Sequence, residues 1–194
     1  MSHNNTLKRR KSKTPLRRVP IVAPHPDPET MGVVVWPESV LTRRACDVEN
    51  IDPWLLRVIE RMKYLMEFHE GVGLAAPQVG LSLRLFVMAE KAKAAEAIAV
   101  INPVLELESE TEEAEEGCLS LPGIRGPITR SRRITLTGYD PQGAPLSMPL
   151  EGLPARIAQH EGDHLDGVLI ISRMPSTARI AVGKKLRALE EKAG

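Results

Sequence analysis

The sequence predicts an α+β domain in which mixed and antiparallel strands pack around a central helix, with a further helix at the C-terminal end. Three observations carry that expectation. Strand-like and helix-like stretches follow one another without the regular βαβ rhythm of a parallel sheet. Two stretches, at 52–70 and 152–167, repeat their apolar residues at helical spacing, and 175–192, with basic and acidic positions interleaved, reads as a more polar helix. The residues between them read as short strands separated by Gly, Pro and Asn turn signals.

Residues 1–30, MSHNNTLKRRKSKTPLRRVPIVAPHPDPET, show no sustained apolar period and hold five of the sixteen prolines. They are expected to form a flexible basic arm ahead of a single domain spanning 31–194. A targeting peptide is an alternative for this basic, acid-poor segment, and Met31 offers an alternative start. Residues 1–18 contain seven Lys/Arg and no acid against a total charge of +1, so the rest of the chain carries −6. The positive charge therefore belongs to the arm and does not mark the domain as a DNA-binding one.

The chain has two cysteines and no apolar signal-peptide core, which favours a reducing cytoplasm over a disulfide framework. No run approaches the ~18 apolar residues of a membrane helix.

DPWLLRVIERMKYLMEFHE opens with Asp52 as N-cap and Pro53 at the first helical position, then places Leu55, Val58, Ile59, Met62, Leu65, Met66 and His69 at helical spacing. The apolar members belong to the core, with His69 at the helix end. LRLFVMAE reads as a strand, and AIAVINPVLEL as another closed by Asn102-Pro103. Acidic ESETEEAEE leads into GCLSLPG. RRITLTGYD and PLSMPL form a hairpin across Pro141-Gln142-Gly143. In GLPARIAQHEGDHLDGVLI, Leu153, Ile157, Ala158 and Leu165 follow a helical period, giving a buried helix that ends near Gly167. The last stretch is a more polar helix with interleaved charges.

Within the buried helix, His160-Glu161-x-x-His164 puts two imidazoles on one face, where both can hold one divalent ion, while Glu161 can reach a water as general base. Uncompensated His and Glu in a core are costly, which favours a metal there over a bland polar helix end. A catalytic metal needs a third protein ligand and an open position. Cys118, in a tight loop between Gly117 and Pro122-Gly123, is the candidate. In GVGLAAPQVG, small residues permit another backbone to approach closely, as an extended peptide pairing with a strand edge requires.

Taken in order, GVGLAAPQVG, EEGCLS and QHEGDHLDG closely resemble the three signature motifs of peptide deformylases, over roughly residues 31–175. These enzymes remove the formyl group from the N-terminal methionine of new polypeptides and release formate. The resemblance implies Cys118, His160 and His164 as metal ligands and Glu161 as general acid/base. Gln78, through its amide, and the Leu119 N–H would hold the oxyanion. It implies ferrous iron in the cell, with zinc, nickel or cobalt as alternatives that a Cys-His-His set also tolerates. Val72, Gly73, Leu153, Ile157 and the stem of Arg156 would surround the methionine, and Gly73 and Gly117 would hydrogen-bond the formyl-Met nascent peptide. Motif position further suggests that Asp163 pairs with Arg130 and that Glu116 orients a ligand histidine.

Gly162 departs from the family pattern, where a larger residue stands, and a helical glycine costs ~1 kcal/mol relative to Ala. The basic arm is the other departure. The last helix is expected to be a solvated one, with transient ribosome contact through it or the arm as the alternative, in a bacterial cytoplasm or in an organelle, where synthesis also starts with formyl-methionine. Two alternatives compete. A zinc peptidase usually takes its third ligand downstream as His or Glu, but LDGVLIISRM offers only Asp166. A peptide-binding module without turnover has no positive support, because every inferred chemical group is present.

Overall fold

A computed structural model describes residues 25–193. Helix α1 (Pro53–Phe68) starts as its sequence dictates, with the Asp52 carboxylate accepting from the Leu55 N–H at 2.8 Å and Pro53 opening the first turn. Its face of Leu55, Val58, Ile59, Met62, Leu65 and Met66 is buried, as the spacing predicts.

Strands β1 (Gly73–Ala75), β2 (Leu85–Met88), β3 (Ile98–Leu107), β6 (Arg133–Tyr139) and β7 (Pro145–Glu151) form one sheet in the order β1-β2-β3-β6-β7. Strands β4 (Thr111–Gly117) and β5 (Arg125–Ser131) form a separate pair. All pairings between these strands are antiparallel, and among the described residues the one parallel element is the isolated bridge Cys46/Leu83. The α+β architecture expected from the sequence is present, with antiparallel pairing in both sheets.

Side-chain alternation sorts the central strands into two cores. Leu85 and Val87 face α1 together with Leu74, Ala99 and Ile101. Phe86, Met88, Val100, Ile134 and Leu136 pack against Ala155, Ile157, Ala158 and Leu165 of helix α2 (Leu153–Leu165) on the other face. Helix α2 thus lies buried between the sheet and the β4/β5 pair. A third cluster joins Ile124 and Ile128 to Ile170 of the short helix α3 (Ile170–Arg173), and helix α4 (Ser176–Ala193) packs against it through Ala178, Val182, Leu186 and Leu189. No described helix is long and apolar enough to cross a membrane.

In several places the structure adds to or changes the sequence reading. Asn102-Pro103 does not end a strand: β3 runs through it with a bulge between Ile101 and Val104, Asn102 takes φ 50°, and its amide exchanges hydrogen bonds with the Val48 backbone at 2.8 and 3.0 Å. Opposite the bulge, a Cβ on Gly138 would come 2.8 Å from the Ile101 carbonyl, so only glycine fits. The acidic stretch is strand β4, with Glu112, Glu113 and Glu115 exposed and Glu116 buried. Residues 25–30, counted with the arm, carry a 3₁₀ turn at Pro28–Thr30 and are held to α1: the His25 ring stacks on Trp54 at 4.1 Å, and the Trp54 indole donates to the Pro26 carbonyl at 2.8 Å. The remainder of the arm, residues 1–24, lies outside the described residues. A Cβ on Gly162 would stand 3.2 Å from Leu105 Cδ1, so the Leu105 side chain packs closely over this turn of α2.

Candidate metal centre

Helix α2 begins after Gly152, at φ 65°, and closes at Asp166 before Gly167, at φ 72°. A Cβ on Gly167 would approach the Thr42 carbonyl carbon to 2.7 Å, so this turn fixes the helix against the neighbouring chain. The helical period then aims His160 and His164 toward the end of β4, where Cys118 follows Gly117. Cys118 Sγ stands 3.2 Å from His164 Nε2, and the ligand atoms of Cys118, His160 and His164 all lie within 4.8 Å of one another.

This donor set fits a divalent ion. One thiol sulfur from the loop after β4 and two imidazole nitrogens from α2 converge, the combination that borderline ions such as iron, zinc, nickel and cobalt accept. His160 is already oriented for it: its Nδ1 is 2.9 Å from Glu116 Oε2, which leaves Nε2 for the centre. Two buried atoms, Glu161 Oε2 and His164 Nδ1, have no hydrogen-bond partner among the described residues.

Glu116 is the hub behind the ligands. Its carboxylate takes two bonds of 2.9 Å from Arg130 and one of 2.8 Å from Arg156, besides His160. Arg130 also donates to Asp163 Oδ2 at 2.6 Å, and Asp163 is clamped from outside by Arg173 at 2.6 and 3.1 Å. Arg156 places its stem at the cleft and fixes its head on Glu116 and on the carbonyls of Ile128 and Glu112. Sequence reasoning missed this head-group role, and it missed Arg173 altogether. The spacing of Arg173 from the other members carries no periodic signal.

The electrostatics follow from this packing. Burial pushes the Glu116 carboxyl up, but bonds from His160 and Arg130 outweigh it and hold the group well below the usual carboxylate range. For Glu161 burial dominates and raises its pKa to about 7, with the His160 and Arg130 charges opposing the rise. Burial lowers His160, yet hydrogen bonds to Cys118 and Glu116 outweigh it and lift the metal-free ring to about 10. Burial, aided by the His160 and Arg130 charges, pushes His164 well below its ordinary value.

A cleft of about 760 Å³ opens over this centre, lined by Val72, Gly73, Gly117, Leu153, Arg156 and Ile157 together with Gln78, Cys118, Leu119, His160 and Glu161. Leu153 departs from the buried helix face expected of it: it is 51 % exposed, at the rim of the cleft. Gln78 is oriented by its own backbone neighbourhood: Oε1 accepts from the Ala75 N–H at 2.8 Å, which turns Nε2 toward Cys118 Sγ, 3.6 Å away. Gly73 leaves room for Glu161, since a Cβ there would fall 2.8 Å from the Glu161 Cδ. In a second cavity behind α2, Arg84 pairs with Asp166 and Arg173 with Asp163.

Residues 30–179 match the family model for polypeptide deformylase. The chain belongs to the polypeptide deformylase family. Among deformylase sequences, it is 47 % identical over 162 residues to the peptide deformylase of Thermotoga neapolitana, covering 83 % of this chain and 97 % of the relative. It is 40 % identical over 142 residues to that of Desulforudis audaxviator, covering 73 % and 91 %. Among solved deformylase structures, that of the Plasmodium falciparum enzyme superposes with a TM-score of 0.80 at 36 % identity, over 82 % of this chain and 95 % of that one. The Thermotoga maritima enzyme gives 0.70 at 47 % identity, over 75 % and 97 %.

Proposed function

We propose that this deformylase family member is a metal-dependent hydrolase that removes the N-formyl group from the N-terminal methionine of newly made polypeptides and releases formate. The observation that carries the reading is the convergence of Cys118, His160 and His164 beside the buried carboxyl of Glu161, at a cleft of about 760 Å³. Cys118, His160 and His164 would hold the ion, ferrous iron in the cell, with zinc, nickel or cobalt suited to the same donors. Such an ion supplies Lewis acidity, lowering the pKa of a water and polarising a carbonyl.

The chain's own groups do the rest. Glu161, its pKa about 7, takes a proton from the attacking water as that water adds to the formyl carbon, and returns it to the amine nitrogen as the C–N bond breaks. The Gln78 amide N–H and the Leu119 N–H meet the charge that grows on the formyl oxygen, each such donor being worth ~3 kcal/mol in the transition state. Glu116, fixed by Arg130 and Arg156 and backed by Asp163, keeps His160 aimed. Val72, Leu153, Ile157 and the Arg156 stem enclose the methionine side chain, and the backbones at Gly73 and Gly117 pair with the nascent peptide.

The reading places the protein in a bacterial cytoplasm or in an organelle that starts synthesis with formyl-methionine. Transient ribosome contact would run through residues 1–24 or through Lys184 and Arg187 on the exposed face of α4. Salt-sensitive ribosome binding that is lost on deleting residues 1–24 or neutralising those two residues checks this part.

The test of the reaction is formate release by anaerobically iron-loaded protein from a formyl-Met peptide, beside an acetyl-Met peptide and a Glu161→Gln variant. Turnover confined to the wild type and the formyl substrate is expected. Absence of turnover with one ion bound per chain would replace the enzyme by a peptide-binding module.

A further inference from the structure

The chain has two phenylalanines and two tyrosines, and one of each stands exposed at the cleft end of α1. Phe68 is 65 % exposed and Tyr64 50 %, with ring centroids 5.9 Å apart, and Phe68 meets the His69 ring edge-on at 5.1 Å. Local contacts order this end of the helix. Arg61 lies over the Tyr64 ring at 5.0 Å while its guanidinium donates to the Met31 carbonyl. Backbone bonds from His69, Glu70 and Gly71 to Leu65, Glu67 and Met66 fasten the following turn to the helix end.

Position turns this exposed pair into a surface with an occupant. The cleft wall runs through consecutive residues from Gly73, against Glu161, to Glu70 and His69 at the mouth, and exposure rises along it. A peptide whose formyl end sits at Glu161 and whose backbone follows this wall leaves past His69. Phe68 directly precedes His69, the outermost lining residue on this wall, and an extended peptide advances at most ~13 Å in four residues, which sets the side chains about three or four residues beyond the methionine as the ones to test against it.

We propose that Phe68 and Tyr64 form an aromatic platform for an apolar or aromatic side chain of the substrate, about three or four residues after its methionine. The proposal rests on the deformylase reading. Rigid aromatic faces give contact area at low entropic cost, and an aromatic contact of this kind corresponds to about three- to ten-fold in binding. Because the contact is made equally before and during reaction, it acts through KM.

The experiment measures kcat/KM by formate release from formyl-Met-Ala and from formyl-Met pentapeptides of alanine carrying Phe or Ser at position four or five, using the iron-loaded full chain. Wild type is expected to favour Phe by about three- to ten-fold at one of these positions, mainly in KM. Phe68→Ser and Tyr64→Ser are expected to abolish that preference and leave formyl-Met-Ala within about two-fold of wild type. No preference in wild type, a preference that survives both substitutions, or a loss spread equally over all substrates would overturn the platform. Failure of wild type to turn over formyl-Met-Ala would overturn the deformylase reading itself, and the platform with it.

Discussion

Replacing Glu161 by Gln keeps the side chain's shape and removes its charge, which makes the variant a probe of how far burial perturbs this carboxyl. In the metal-free protein its pKa is raised from 4.5 to about 7, chiefly by burial. A raised carboxyl means that between those values the folded chain holds a proton that the unfolded chain has released. Stability therefore falls as pH climbs from 4.5 to about 7, and above that the penalty of burying the ionised group is complete, at roughly 3 kcal/mol. The buried Gln amide adds a cost of ~1 kcal/mol that does not vary with pH. Urea unfolding of the chelated proteins at pH 5, 6, 7 and 8 should show the variant gaining on wild type by roughly 2.5 kcal/mol across that range, or about 1–2 M in midpoint. Parallel profiles for the two proteins would refute the reasoning, since they would mean that Glu161 is not buried without compensation.

Three further outcomes follow from the same geometry. Gly73→Ala drives a methyl group into the Glu161 carboxylate, so formate release should fall by ~100-fold or more while one metal per chain is retained, checked by kinetics and elemental analysis. Glu116→Ala leaves Arg130 with Asp163 alone, removes the carboxylate from Arg156 and frees His160, so metal affinity should fall by about 10–100-fold and stability by about 3–5 kcal/mol, read by competition with a chelator and by denaturation. Because the metal-free His160 is protonated up to about pH 10, an ion must displace that proton. Apparent metal affinity should therefore rise with pH toward 10, by up to about tenfold per pH unit, and calorimetry in buffers of different ionisation enthalpy should detect at least one proton released.

The elements legible in the sequence are those whose signal is local. Helix α1 announced itself through Asp52, Pro53 and six apolar positions, and the β6/β7 hairpin through its turn residues. Strand β4 did not, because four glutamates in seven residues have low strand propensity, and only pairing with β5 and burial of Glu116 make the segment extended. The Asn102-Pro103 bulge was misread for a related reason: the Val48 contact that holds Asn102 comes from 54 residues away. At the site, His160, Glu161 and His164 were legible from helical spacing, whereas Cys118 needed the family motif to join them. Arg173 carried no signal, since its value lies in a contact with Asp163 that α3 creates by folding back on α2.

The most direct test of the account is a crystal of the iron- or zinc-loaded protein measured at the metal's absorption edge. One anomalous peak is expected between Cys118 Sγ and the Nε2 atoms of His160 and His164, at ~2.0–2.3 Å from each, with Glu161 beside it and not bound to it. A peak elsewhere in the chain, or one that Glu161 ligates in place of Cys118, would contradict it.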